Sequence, residues 1–209
     1  MAPYKPTTKR VNAPVAGRSR GIGKRRTTAR RYSQGDLDGL CGVYAIVNAV
    51  AHLCPSMTSA DSERLFAAIL RALRAQSGPR TSFVTAGILL PQLLSLIEIA
   101  FKHVKRRHGI TLVARIVPKP IAKRWGIDTM WQHLARRLDE RCVAILGLGG
   151  RHDHWTLAAG ITPRQIKLKD SDGLRRLNRA HCGTRDSSQR RSVITADMVI
   201  LVRRQGRPV

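Results

Sequence analysis

The stretch Leu40–Leu53, LCGVYAIVNAVAHL, is apolar on most of its circumference. That pattern marks a helix buried on nearly all sides rather than one laid on a surface. Asp38 is placed to cap its start, and Cys54-Pro55 follows its end. A second helix is expected from about Ser59 to Gln76, with Leu65, Phe66, Ile69, Leu70 and Leu73 on one face and Arg64, Arg71 and Arg74 outside. Ser77-Gly78-Pro79 breaks it. A third should start near Ala86, after Thr85, and run to Arg107, burying Leu89, Leu90, Leu93, Leu94, Ile97, Phe101 and Val104.

Beyond Gly109 the period moves toward two. Ile110–Val117 reads as a strand ended by Pro118-Lys119-Pro120, and Thr129–Glu140 as a short helix. Cys142–Leu148, His154–Ile161, Arg164–Asp170 and Ser192–Arg203 are strand-like, and 173–191 reads as a polar, basic loop. Helices first and a sheet afterwards predict an α+β domain.

Charge is the other strong constraint. The chain has 209 residues, 38 Lys+Arg against 13 Asp+Glu and a formal net charge of +25. Residues 1–31 hold ten of the basic residues and no acid, with no periodicity, and are expected to form a disordered basic arm. The remainder, 32–209, still carries a net +15. Such a field attracts phosphate backbones, acidic proteins or anionic surfaces without choosing among them, and biased base composition alone also enriches arginine. The 43% of hydrophobic residues excludes wholesale disorder. No apolar run approaches the roughly 20 residues of a membrane span. The opening MAPYKPTTKR lacks an apolar signal core, so a cytoplasmic protein is expected. Cys41, Cys54, Cys142 and Cys182 lie far apart and read as thiols.

Nucleophilic cysteine catalysis needs a thiolate, a base and a group that orients the base. A helix N-terminus favours a thiolate, and Cys41 stands just inside the start of the buried helix. Gly39 and Gly42 flank it, which is expected to keep the surface around the sulfur open. Cys54 and Cys142 sit in apolar settings, and Cys182, beside His181, has no helix start. The base candidate is His154, first residue of the strand HWTLAAGI. If that strand and RQIKLKD form a hairpin about Thr162-Pro163, residues whose numbers sum to about 324 face each other. His154 and Asp170 are then direct cross-strand neighbours on one face, and Asp170 can fix the imidazole's tautomer. Taken singly, each residue also has an ordinary structural role: Asp170 precedes Ser171-Asp172-Gly173, a turn signal.

The blocks SQGDLDGLCGVYAIVNAV, HDHWTLAAGI and IKLKDSDG resemble those of papain-like cysteine peptidases, closest to the bacterial C39-like branch. The resemblance covers about residues 32–203. It implies a papain-like α+β fold, with an N-terminal helical subdomain carrying the nucleophile helix against an antiparallel β-sheet. By position it makes Cys41 the nucleophile, His154 the base, Asp170 its orienting group and Gln34 a donor to the oxyanion. There are departures: Leu40 stands where an acid usually precedes Cys-Gly, and Gln34 is one residue farther from Cys41 than usual. No transporter region accompanies the block, which argues against bacteriocin processing. Asp38-Gly39-Leu40-Cys41 also resembles the nucleophile block of ovarian-tumour-type deubiquitinases, whose histidine lies nearer the domain's end.

The expected function is therefore cysteine-dependent amide hydrolysis of a protein or peptide through an acyl-enzyme. The alternatives are a deamidase or transglutaminase using the same triad, or a non-catalytic nucleic-acid-binding protein of the same fold. Its test is binding that weakens steeply with salt and survives loss of Cys41. His152 is a rival for His154. The set His152, His154, His181 and Cys182 lacks any standard zinc spacing, so neither metal nor cofactor is expected. Gly21-Ile22-Gly23-Lys24 has neither the sequence nor the preceding strand of a phosphate loop. Trp125, Trp131 and Trp155 show no nucleic-acid-binding pattern and are read as core.

Overall fold

A computed structural model describes residues 39–77, 87–150, 152–184 and 190–206. The arm expected over 1–31, together with Gln34, Asp38, Thr85 and Ala86, lies outside the described residues. The chain is α+β, with helices packed on a mostly antiparallel, open sheet.

Three helices come first: α1 (Cys41–Leu53), α2 (Ser59–Ser77) and α3 (Leu90–His108). α1 buries ten of its thirteen residues, as its all-round apolar sequence requires. Thr58 caps α2 reciprocally: its Oγ1 accepts from the Asp61 N–H at 3.1 Å while the Asp61 carboxylate accepts from the Thr58 N–H at 3.0 Å. α3 begins at Leu90, four residues after the start expected near Ala86. Pro91 is the reason, because proline is tolerated in the first turn of a helix but not in its interior.

The sheet runs β1-β7-β2-β3-β4-β5, built from β1 (Leu112–Ile116), β2 (Cys142–Gly149), β3 (His154–Ile161), β4 (Gln165–Lys169), β5 (Arg176–Asn178) and β7 (Ser192–Arg204). A two-residue strand, β6 (Cys182–Gly183), pairs parallel to β7. The expected polar loop at 173–191 therefore contains β5, a 3-10 turn at Arg179–His181 and β6. Strands of two and three residues, with Leu177 and Cys182 as their buried members, carry too little alternation to read as period two. Two short helices, α4 (Lys119–Ala122) and α5 (Ile127–Ala135), complete the chain. The helix expected to reach Glu140 stops at Ala135, and Asp139 turns instead to bridge Cys142.

Central β2 is buried along nearly its whole length because both sheet faces are covered. On one face Val143, Ile145, Trp155, Leu157, Ile200 and Val202 join the core of α1, α2 and α3. On the other, Ala144, Leu146, Leu148, Ala158, Ile166 and Leu168 meet Met130, Trp131 and Leu134 of α5. Trp131 donates its indole N–H to the Thr162 carbonyl at 2.8 Å, pinning α5 to the β3–β4 turn. α1 packs across β3, β2 and β7, so its N-terminus is held against the sheet. Among the described residues no helix is long and apolar enough to cross a membrane.

Candidate active site

Cys41 is the first residue of α1, and its side chain is carried to the start of β3. The Trp155 main-chain N–H donates to Cys41 Sγ at 3.5 Å. This donor is free for sulfur because β4 has already parted from β3: their pairing ends at Leu157–Lys169, two residues short of Trp155. The Trp155 indole N–H donates to the Ile88 carbonyl at 2.7 Å, tying β3 to the segment that leads into α3. Trp155 thus braces the site through its backbone and its ring. It was read from sequence only as core.

Gly42 has a different purpose from the one its sequence position suggests. A Cβ there would lie 2.9 Å from Leu93 Cδ1 and 3.3 Å from Ile88 Cδ1. Its missing side chain lets α1 approach α3 closely and does not open the surface around the sulfur, which is 7% exposed at Cys41.

His154 opens β3, immediately after Asp153, whose φ of 37° lies in the left-handed region. Aspartate visits that region more readily than most residues, and the kink sets the direction in which the strand begins. His154 Nε2 donates to Asp170 Oδ1 at 2.7 Å. Asp170 is fully buried, and its second oxygen accepts from the Asp172 N–H at 2.9 Å and the Leu174 N–H at 3.1 Å. Gly173, at φ 90°, makes the turn that brings Leu174 back over the carboxylate. The turn-forming and histidine-orienting roles of Asp170 are therefore held by different oxygens of one carboxylate.

The hairpin register differs from the symmetric expectation. The β3–β4 turn pairs Ile161 with Ile166 and Gly160 with Lys167, then a bulge at Ala159 shifts the register to Ala158–Leu168 and Leu157–Lys169. Continued, that register sets Asp170 opposite Thr156, so His154 and Asp170 are diagonal rather than direct neighbours. They remain on one face, within reach of each other.

Burial opposes charge on His154, but the Asp170 hydrogen bond, the Cys41 sulfur and the negative charge of both raise its pKa to about 10. Burial likewise opposes charge on Asp170, yet the His154 ring, the Thr156 hydroxyl and the Leu174 N–H hold its carboxyl below the usual range. The ring therefore favours its charged form more than a free imidazole does, and it bridges a carboxylate and a sulfur. By contrast burial pushes the Cys54 and Cys182 thiols up to about 11 and also raises Cys142. All four cysteines are free and buried.

Of the residues singled out in the sequence, the structure brings Cys41, His154 and Asp170 together, and Gln34 lies outside the described residues. His152, the rival base, points elsewhere: its Nε2 sits 3.2 Å from Ser192 Oγ on β7. A cavity of about 730 Å³ at the opposite end of α1, lined by His52, His108, Arg141 and Arg204 among others, is remote from Cys41. Sequence alone offered no sign of the Trp155 N–H, because a backbone donor leaves no residue signature.

No family model, curated protein or solved structure matches this chain.

Proposed function

We propose that the protein is a cysteine-dependent amide hydrolase, a peptidase of papain-like arrangement, acting through Cys41, His154 and Asp170. The observation that carries this reading is the single imidazole held at 2.7 Å by a buried carboxylate on one side and influenced by a helix-start sulfur on the other. A protonated imidazole beside a helix N-terminus is the setting in which cysteine nucleophiles act as thiolates.

The Cys41 thiolate attacks the substrate carbonyl carbon, forming the C–S bond and moving the carbonyl π pair onto oxygen. The first N–H groups of a helix have no intrahelical partner, so the Cys41 N–H at the start of α1 is a donor for that oxyanion. With Nε2 committed to Asp170, Nδ1 of His154 gives its proton to the amide nitrogen. The C–N bond breaks and the amine leaves, with a thioester remaining on Cys41. Water then passes a proton to Nδ1 as its oxygen attacks the thioester. The C–S bond breaks, the acid departs, and the thiolate–imidazolium pair is restored. Asp170 stays ionised throughout and keeps the ring oriented.

Iodoacetamide labelling read by peptide mass spectrometry tests this. At pH 7, thiols with a pKa near 11 are about one part in 10⁴ thiolate, so Cys54 and Cys182 should react slowly even where reached. Cys41 should label first, and His154→Ala should suppress that labelling. Equal labelling of all four cysteines, or labelling of Cys41 indifferent to His154, would sink the proposal.

A further inference from the structure

A basic trough lies beside the proposed catalytic pair. A cavity of about 330 Å³ is lined by His152, Leu174, Arg176, His181 and Arg191 among others. Two of these residues place it beside the proposed catalytic pair. His152 is two residues before His154, and the Leu174 N–H is bonded to the Asp170 carboxylate. Asn178 and His181 also line a second cavity of about 690 Å³, to which Arg164, Arg179 and Arg190 contribute. The two cavities therefore adjoin.

The lining is cationic. Among the described residues the first cavity has no carboxylate in its wall, and the second has only Asp128, which Arg179 engages at 2.6 Å. Among the described residues Arg164, Arg176 and Arg191 form no ion pair with any carboxylate. Asp153 and Asp172 are exposed in the flanking loops but line neither cavity. Among the described residues no Phe, Tyr or Trp lines either wall, so these walls offer none of the stacking platforms of single-stranded nucleic-acid sites.

Resting on the hydrolase reading above, we infer that this trough binds acidic side chains of the peptide substrate on the leaving-group side of the scissile bond. The side follows from the chemistry. His154 protonates the leaving amine, so the departing segment lies on the imidazole flank of the sulfur, the flank on which Leu174 joins Asp170 to the trough wall. Arg176 and Arg191 line the cavity that Leu174 shares and are the anchors, and guanidinium groups suit carboxylates through paired N–H donors.

The test separates binding from chemistry. Cys41→Ala protein is titrated, by fluorescence anisotropy, with a labelled glycine-serine peptide carrying four Glu. The same peptide with four Gln and a single-stranded oligonucleotide of equal charge are compared. The Glu peptide should bind at least about tenfold tighter than the Gln peptide, the amount two exposed ion pairs supply. Arg176→Glu/Arg191→Glu should abolish that preference. Arg71→Glu/Arg74→Glu on exposed α2, with the same change in net charge, should leave most of it. Equal binding of the Glu and Gln peptides, or equal loss in both double variants, would overturn the proposal. So would an oligonucleotide that binds more tightly than the Glu peptide and is the ligand lost on Arg176→Glu/Arg191→Glu. With Cys41 present, labelling that still depends on His154 while the Glu preference is absent identifies failure of the trough alone. Labelling that ignores His154 identifies failure of the hydrolase reading instead.

Discussion

Replacing Asp170 by asparagine should switch off the site while leaving the fold in place. Three N–H groups donate to the carboxylate, the His154 ring on one oxygen and the Asp172 and Leu174 N–H groups on the other, and the Thr156 hydroxyl adds to its stabilisation. Asparagine offers one oxygen and one NH₂ group. If its oxygen faces His154, the NH₂ group confronts two backbone N–H groups in a fully buried place, at about 1–3 kcal/mol for each donor left unpaired. If its oxygen keeps the two N–H groups, the NH₂ group faces Nε2, and the ring must present a lone pair there. The second arrangement leaves fewer donors unpaired. It moves the ring's proton to Nδ1, so a neutral His154 can no longer accept a proton from sulfur. The Asp170 charge and hydrogen bond that raised the His154 pKa are lost together, leaving only the Cys41 sulfur to oppose the downward pull of burial. Stability should fall by about 1.5–3 kcal/mol, the range for a hydrogen bond to a charged group. Turnover should fall by about 10⁴, the order expected when a triad histidine holds the wrong tautomer. The assay is the pH profile of Cys41 alkylation, with ¹⁵N shifts of the His154 ring reporting its tautomer and urea denaturation reporting stability. An Asp170→Asn profile superimposable on the parent's, in a folded protein, would refute the argument.

Two further outcomes follow from the same structure. His154 has its pKa raised from 6.5 to about 10, so its contribution to stability is complete below pH 6.5 and fades as pH rises toward 10. Asp170, lowered from 3.8, contributes fully above that value and loses its effect on acidification. The difference in urea midpoint between the parent and His154→Ala/Asp170→Ala should therefore be largest between about pH 4 and 6.5, and a difference flat from pH 4 to 10 would contradict it. Gly42→Ala should lower stability by about 1 kcal/mol, because overpacking against Leu93 costs about 1–3 and the better helix propensity of alanine returns about 1. A rise in thermal midpoint would show that α1 and α3 have room the structure does not display.

Most of the fold was readable because its elements are long and strongly patterned. α1, α2 and β3 fall within a residue or so of where apolar periodicity sets them. The start of α3 was set near Ala86 from Thr85, whereas Pro91, with its missing N–H and fixed φ, belongs in the first turn and so sets the start at Leu90. β5 and β6 were invisible for a different reason. They exist because β4 and β7 offer edges to pair with, and that is tertiary information absent from a three-residue window. Gly42 was misread for the same cause: whether a missing side chain faces solvent or Leu93 depends on a helix fifty residues away.

The convergence of His154 and Asp170 was expected from a symmetry that does not hold. A turn centred near Thr162 gives an even register sum and puts two even-numbered residues on one face. The actual turn is tighter toward the C-terminus, with Thr162 N–H donating to the Gln165 carbonyl at 2.7 Å, and its register sum is odd. On that register alone Asp170 would lie opposite Leu157, on the face of the sheet that packs against α1, and away from the imidazole. The single extra residue at Ala159 restores the even sum. Two displacements, each enough to separate the pair, cancel. The face of a residue depends only on whether such displacements are odd or even in total, whereas its direct partner depends on their size. That is why the shared face could be inferred from symmetry and the diagonal contact could not. It also makes the orientation of the imidazole depend on the turn and the bulge together, since altering either one by a single residue would turn Asp170 to the other face.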